Sequence, residues 1–245
     1  KYFLMINKKL SGWSEYKHFS CDVFFPKDLS ELKIFIEKNA SKKIITRGHG
    51  CSNGDQSVLE NGVVIDVNEL NKVLKYDPTN QIIEVETGMK LSDILELTLK
   101  DDLFFPCIPG GLDITVGGAI ANNIHGKDCF KNGYFEENVN KIKMIDSESK
   151  LIEISKNKNS DLFNNIFSSM GLVGIIYSIE LRLKKIPGQL LEVNTKVAKN
   201  KNQMENYFFE LDNKFDYGIA WLDCAATGKK KLRGIFSVAN FINEN

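Results

Sequence analysis

The sequence predicts an α+β fold in two parts. Strand-like apolar alternation is more frequent than helical periodicity, neighbouring strands such as VNKIKMID and LIEIS are joined by a short polar turn, and the helical stretches are few and amphipathic. With 245 residues, 42% hydrophobic and 10% aromatic, the chain has material for one large domain or two small ones around a sizeable core.

The elements follow in order. DLSELKIFIEKN, from Asp28, opens with an N-cap residue, has Glu31 three residues later and places Leu32, Phe35 and Ile36 on one face, which predicts a helix. KKIITR is a short strand that runs into the glycine-punctuated loop RGHGCSNGD. GVVIDV and QIIEVETG read as strands divided by the turn YDPTN. LSDILELTLKDD is a second helix, with Leu91, Ile94 and Leu95 on its apolar face. After a second glycine-rich stretch come VNKIKMID and LIEIS, joined by SESK, and then a short helix around DLFNNIF. In GIIYSIELRLKKI, Ile175, Tyr177, Ile179, Leu181 and Leu183 alternate with Ile176, Ser178, Glu180, Arg182 and Lys184, predicting a strand with most of one face apolar and the other turning polar towards its end. Pro187-Gly188 marks the expected boundary between a first domain, 1–187, and a second, 188–245, which holds LLEVNTKV, a helix around MENYFFELDNKF and the strand YGIAWLD.

Lys plus Arg and Asp plus Glu balance at 32 each, so no overall field draws the chain to nucleic acid, and KKKLR at 229–233 reads as solvated surface. No apolar run reaches the roughly 18 residues of a spanning helix, and no secretory signal pattern opens the sequence, so the default expectation is a cytoplasmic location. Cys21, Cys51, Cys107, Cys129 and Cys224 are odd in number, scattered and without a CxxC, which predicts reduced thiols and no metal site.

Two stretches carry the chemistry. RGHGCSNGD, with glycines at 48, 50 and 54, reads by itself either as a structural turn or as a loop that turns successive N–H groups towards one anion, and its spacing fits neither GxGxxG nor GxxxxGK[ST]. In PGGLDITVGGAIANNIHGKD, Thr115 caps a short helix whose first turn, with Gly117 and Gly118, is expected to offer free N–H groups, while Gly118, Ala119 and Ala121 leave room for a flat group. Together the loops suit one long ligand with a pyrophosphate and a ring system. His125, behind the helix, reads either as a catalytic group or as a capping and packing residue, and His18 reads as packing or surface. Trp13 and Trp221 read as packing anchors, and Cys51 as a packed thiol, with no base in sequence to make it a nucleophile.

LSGWS, RGHGCSNGD, VIDVNELNKVLKYDPTNQIIEVETG, IPGGLDITVGGAIANNIHGK and GLVGIIYSIELRL, in that order, resemble the FAD-binding PCMH-type domain of the vanillyl-alcohol oxidase superfamily, in the branch of decaprenylphosphoryl-β-D-ribose 2′-oxidases and related sugar oxidases. The resemblance runs from about Leu10 to Phe241 and weakens after Pro187. It implies a domain of two α+β subdomains followed by the start of a substrate domain. It also implies FAD held by Arg47, Gly48, His49, Gly50, Cys51, Ser52 and Asn53 at the pyrophosphate, and by Pro109, Gly110, Gly111, Thr115, Gly117, Gly118, Ala119, Asn122, His125 and Gly126 at the ribityl chain and flavin. Gly174, Ile175 and Ile176 then meet the adenine half, and His125 and Lys127 stand at the reactive side as catalytic residues.

The implied reaction is oxidation of a secondary alcohol of a sugar or polyprenyl-phosphate sugar with hydride transfer to flavin N5. An aldonolactone or alditol oxidase and a truncated noncatalytic flavin-binding module are the alternatives. The implied partners are a small or lipid-linked sugar, a peripheral membrane contact made through such a substrate, and a partner reductase. Members that attach FAD covalently through the first loop carry a histidine where this chain has Cys51, and His49 is out of that register, so noncovalent FAD is expected. The ribose-oxidase branch usually has Arg and Tyr where this chain has Cys51 and Asn53. Chains of the family continue through a full substrate domain and return to the FAD domain, so the second domain is expected to be incomplete.

Overall fold

The computed structural model describes residues 3–105, 107–211 and 214–243. It is built on three main sheets, with the expected α+β character. The first sheet has the order β1 (Ile6–Leu10), β2 (Phe19–Phe24), β4 (Val63–Asp66) and β3 (Ile44–Arg47). β2, β4 and β3 are parallel, and β1 joins β2 antiparallel at the edge. Parallel strands need both faces covered. Val63 and Ile65 pack with Leu32, Phe35 and Ile36 of helix α1 (Leu29–Lys38), while Cys21, Val23 and Val64 pack on the opposite face with Phe19 and Val58. The Asp28 carboxylate caps α1 by accepting the Glu31 N–H at 2.8 Å.

The second sheet is antiparallel, in the order β5 (Val73–Asp77), β6 (Ile82–Glu86), β10 (Ile175–Arg182), β8 (Val139–Ile145) and β9 (Leu151–Ser155). Helices α2 (Leu91–Thr98), α3 (Val116–Ala121) and α5 (Ser160–Ile166) supply the apolar side chains that fill the core on one of its faces. The short helix α4 (Cys129–Asn132) follows α3, and β7 (Leu103–Phe104) pairs with β11 (Lys184–Lys185). The YDPTN turn closes a β5–β6 hairpin, so GVVIDV and QIIEVETG, expected as the two strands it divides, lie in different sheets as β4 and β6.

The expected assignment of Ile175, Tyr177, Ile179, Leu181 and Leu183 to one face of β10 is also corrected. A bulge between Ile176 and Ser178 opposite Met144 and Lys143 inserts Tyr177, and the inserted residue reverses the alternation. Ile175 and Tyr177 turn to the core of the first sheet, whereas Ile176, Ile179, Leu181 and Leu183 turn to that of the second. One strand thereby serves both subdomains.

The third sheet, β12 (Leu190–Ala198), β14 (Gly234–Ile242) and β13 (Tyr217–Leu222), carries α6 (Lys201–Phe209) on one face, with Ala198, Met204, Phe236 and Val238 between them. α6 begins before the expected MENYFF stretch because Asn200 caps it, accepting the Gln203 N–H at 3.0 Å. Asp212 and Asn213, at the other end of that expected helix, lie outside the described residues. Trp13 and Trp221, expected as packing anchors, are 71% and 75% exposed. His18 is also at the surface.

The third sheet meets the rest of the chain at Asp216, whose Oδ1 accepts from Lys131 Nζ at 3.1 Å and Lys184 Nζ at 3.2 Å, and whose Oδ2 accepts the Phe241 N–H at 3.2 Å. Burial alone would raise this carboxyl. The Phe241 amide and the two lysines outweigh it and leave the group below the usual carboxylate range. A depressed folded-state pKa adds stability above the unfolded value, near about pH 4, that is lost as pH falls through the folded value. Asp216→Asn is therefore expected to lower the melting temperature at neutral pH and to flatten its acid dependence. Melts from neutral pH to about pH 3 check this, and parallel curves for the two proteins would refute it.

α3 is seated so closely that a side chain on Gly117 would meet Thr87 Oγ1, at the end of β6. Gly117→Val is expected to destabilise by roughly 1–3 kcal/mol through overpacking. At Gly118 a Cβ would meet only Thr115 Oγ1, at 3.1 Å. Gly118→Ala is expected to stay within about 1 kcal/mol of wild type; chemical denaturation of both variants tests the contrast.

Candidate functional site

A cleft of 390 Å³ opens between the first and second sheets. One wall is the loop that leaves β3, with Gly48, His49, Gly50, Cys51, Ser52 and Asn53, backed by Gln56 and Ser57. The facing wall is Thr87 at the end of β6 and Thr115, Gly117, Gly118, Ala121 and Asn122 around α3. Ile114 and Ile124 border it, and Met170, Gly171, Gly174 and Ile176 close the end near β10.

The two walls touch. A side chain on Gly48 would meet Thr115 Oγ1, the Gly48 carbonyl accepts from Asn68 Nδ2 at 3.1 Å, and the Cys51 thiol lies 3.7 Å from the Asp113 carbonyl. The N-terminal LSGWS segment braces the first loop from outside. Trp13 N–H donates to the Ser52 carbonyl at 2.8 Å, and Ser14 Oγ donates to the Asn53 carbonyl at 2.6 Å.

The first loop offers its backbone amides. Among the described residues, no protein acceptor takes the N–H of Gly48, His49, Gly50, Cys51, Ser52 or Asn53, and all six residues line the cleft. Successive unpaired amides turned towards one space form an anion-binding concavity. Gly50 makes the bend at φ +74°, and a side chain there would meet the Arg47 guanidinium. Arg47, expected at the ligand, does not line the cleft. Its Nη1 donates to Ser57 Oγ at 3.0 Å beneath the loop, and burial pulls its pKa down against the opposing pull of Asp66.

The second glycine stretch differs from expectation. Thr115 does cap α3, accepting the Gly118 N–H at 3.2 Å. The first-turn amides are not free, however: Val116 N–H donates to the Met89 carbonyl at 2.8 Å and Gly117 N–H to the Thr87 carbonyl at 2.9 Å. The carbonyls at the end of β6 take the donors that the sequence left open. Gly117 thus serves close helix-to-strand packing, and α3 gives the cleft a surface of small residues in place of an anion site.

Of the other expected site residues, Thr115, Gly117, Gly118, Asn122, Gly174 and Ile176 line the cleft. Ala119 is fully buried in the second core, and Ile175 turns to the first, so neither side chain reaches it. Pro109, Gly110, Gly111, His125, Gly126 and Lys127 form a second group beside the cleft, next to Ile124. There Lys127 N–H donates to the Ile108 carbonyl at 3.2 Å and Lys127 Nζ to the Pro109 carbonyl at 3.3 Å. His125 is exposed, its ring edge-on to Tyr134 with centroids 6.1 Å apart.

Sequence reasoning missed Gln56, Thr87, Met170 and Gly171. Gln56 Oε1 is buried without a hydrogen-bond partner among the described residues, an orphan acceptor at the cleft wall. The glycine in SSMG was a readable turn signal for the last two, whereas Thr87 enters only because β6 ends against α3. All five cysteines are free, and among the described residues no group of three or more His, Cys, Asp or Glu could hold a metal. No described helix is long and apolar enough to cross a membrane.

An unpaired amide concavity for phosphate, an orphan acceptor and a wall of small and apolar residues fit a dinucleotide that carries a flat ring. Comparison with known proteins agrees. The chain is 26% identical over 242 residues, 96% of its length, to a decaprenylphosphoryl-beta-D-ribose oxidase of Mycolicibacterium smegmatis, of which the match covers 52%. It is 32% identical over 131 residues, 51% of its length, to a D-lactate dehydrogenase of Anaerostipes hadrus, covering 27% of that protein. To an L-gulonolactone oxidase of Mus musculus it is 24% identical over 177 residues, 71% of its length and 40% of the relative. The chain thus spans about half or less of the length of these relatives. Residues 22–155, more than half of the chain, match the family described as FAD binding domain; the chain belongs to this family of FAD-linked oxidoreductases and its cofactor is FAD.

Proposed function

We propose that the whole protein oxidises a secondary alcohol of a sugar or of a polyprenyl-phosphate-linked sugar, with this chain holding the FAD. The observation that carries the cofactor half of this reading is the run of six unpaired amides from Gly48 to Asn53 on the cleft wall. Support for the substrate half is the likeness to a decaprenylphosphoryl-beta-D-ribose oxidase along nearly the whole chain.

When bound, FAD supplies the redox chemistry by accepting a hydride at N5. The chain's own residues bind and orient. The amides of residues 48–53 hold the diphosphate, with the Arg47 guanidinium beneath them adding positive charge. Gly118, Ala121, Ile114 and Ile124 give the ring a surface without bulky side chains, and Gly174 and Ile176 flank the adenine half. On the adjoining turn, Lys127 orients the substrate hydroxyl as a donor and His125 takes its proton. FAD is held without a covalent bond on this reading. Burial, and after it Asp113, push the Cys51 thiol up, so it stays protonated and unreactive at neutral pH. The free state of all five thiols supports a reducing compartment such as the cytoplasm. A partner reductase, and contact with a membrane through a lipid-linked substrate, belong to the same proposal.

Heat or acid is expected to release all flavin from the polypeptide, and flavin retained by the denatured chain would refute noncovalent binding. Gly50→Ala, which forces a side chain onto Arg47 at positive φ, is expected to weaken both FAD and ADP by about tenfold or more; titration calorimetry with FAD, ADP and FMN checks this, and equal ADP affinity would move the diphosphate elsewhere.

In the whole protein, anaerobic flavin bleaching by a polyprenyl-phosphate pentose, an aldonolactone and a D-2-hydroxy acid sorts the substrate class, and bleaching by none of them ends the reading. His125→Ala is expected to leave FAD affinity intact and slow substrate-driven bleaching by roughly a hundredfold; an unchanged single-turnover rate would remove its catalytic role.

A further inference from the structure

The most deeply buried carboxyl among the described residues is Asp128, 0% exposed, and the chemistry above makes no use of it. It follows Lys127 directly. Its Oδ1 accepts the Ile108 N–H at 3.3 Å and its Oδ2 accepts from Asn132 Nδ2 at 3.0 Å. Gly126 lies so close that a side chain there would meet both Asp128 Oδ1 and the Ile108 carbonyl. The same turn is tied at two further points: Lys127 N–H donates to the Ile108 carbonyl, and the Lys127 carbonyl accepts the Gly218 N–H of β13 at 2.8 Å. Cys107, Lys184 and Tyr217 lie around this carboxyl from the neighbouring segment, β11 and β13.

We propose that Asp128 is a positioning residue, whose carboxyl brackets the 124–128 turn to the 107–109 segment and so fixes where His125 and Lys127 stand between the cleft and the third sheet. The inference rests on the reading that those two residues serve the reactive side of the bound flavin. Burial pushes the Asp128 carboxyl up, against the pull of Asn132 and of the backbone amides. Both carboxyl oxygens are taken, one by the Ile108 N–H and the other by the Asn132 amide, so the bracket is made by hydrogen bonds that an amide of the same shape can keep. An asparagine would keep an oxygen for the Ile108 N–H and would donate to a flipped Asn132 amide. Alanine would leave two half-buried donors without their acceptor.

The test uses the FAD-loaded chain and sulfite, which adds reversibly to flavin N5 with an affinity that rises with positive charge held beside the ring. FAD affinity is measured alongside and is expected to stay within about threefold of wild type in every variant. Lys127→Ala and Asp128→Ala are each expected to weaken sulfite binding by about tenfold, Asn132→Ala by about threefold, and Asp128→Asn by less than about twofold. Sulfite affinity at the wild-type level in a less heat-stable Asp128→Ala reduces the residue to fold support and overturns the inference. So does an Asp128→Asn that binds FAD yet fails as alanine does. Should Asp128→Ala not fold, Asn132→Ala decides, and wild-type sulfite affinity there overturns the inference. A wild type that binds no FAD, or a Lys127→Ala with unchanged sulfite affinity, defeats the underlying flavin-site reading and the inference with it.

Discussion

The site depends on the close approach of three backbone segments at which no side chain fits. Gly48 meets Thr115, Gly117 meets Thr87, and between them the end of β6 accepts the first amides of α3. This contact sets the distance between the two subdomains and hence the width of the cleft. Interiors are packed too densely to absorb an extra methyl group without moving their neighbours. Small residues at these positions are therefore a geometric requirement of the cleft, and only Gly50 among the first-loop glycines is needed for its φ.

The same contact divides the electrostatic work between the walls. Since strand carbonyls satisfy α3, a helix of only six residues, its N-terminus has little positive potential left to offer. The loop after β3 is in the opposite state, with six amides unpaired and a guanidinium beneath them. Unpaired donors cost free energy unless water or a ligand takes them, so the six amides of this loop are left to solvent or to whatever occupies the cleft. The bulge at Tyr177 completes the arrangement, because it lets one strand pack into both cores and holds the subdomains in register.

Much of this was legible in the sequence where a local rule was strong enough. Asp28 and Thr115 announced their helices through capping chemistry, and the Leu91, Ile94 and Leu95 stripe announced α2. The first loop was readable because glycine spacing at a strand end reports backbone geometry directly. Elements whose reason lies elsewhere in the chain were not readable. β1 is an exposed, lysine-bearing edge strand defined only by its pairing with β2, and β5 is an edge strand with little apolar signal of its own. β14, the centre of the third sheet, passed without being recognised as a strand, although Phe236 and Val238 alternate towards α6. The free amides expected at α3 failed for the same reason: which carbonyls take them is a tertiary fact. Tyr177 as a bulge is a further case, since one inserted residue leaves the sequence alternation intact while reversing the faces.

The third sheet joins this scheme next to the turn that carries His125 and Lys127. Gly218 of β13 bonds to the Lys127 carbonyl, and Asp216 gathers Lys131 and Lys184 a short distance away. From Tyr217 the same face of β13 continues through Ile219 to Trp221, and across β14 and β12 through Ile235 and Val197, all exposed except Tyr217. An apolar sheet face is thereby anchored at the His125–Lys127 turn and continues from it as a surface of different character. The polar groups at its root fix geometry, while the face beyond them is free of charged side chains along that row. The junction at Asp216 and Gly218 is accordingly the structural link between the Lys127 turn, with Lys131 and Lys184 beside it, and the third sheet.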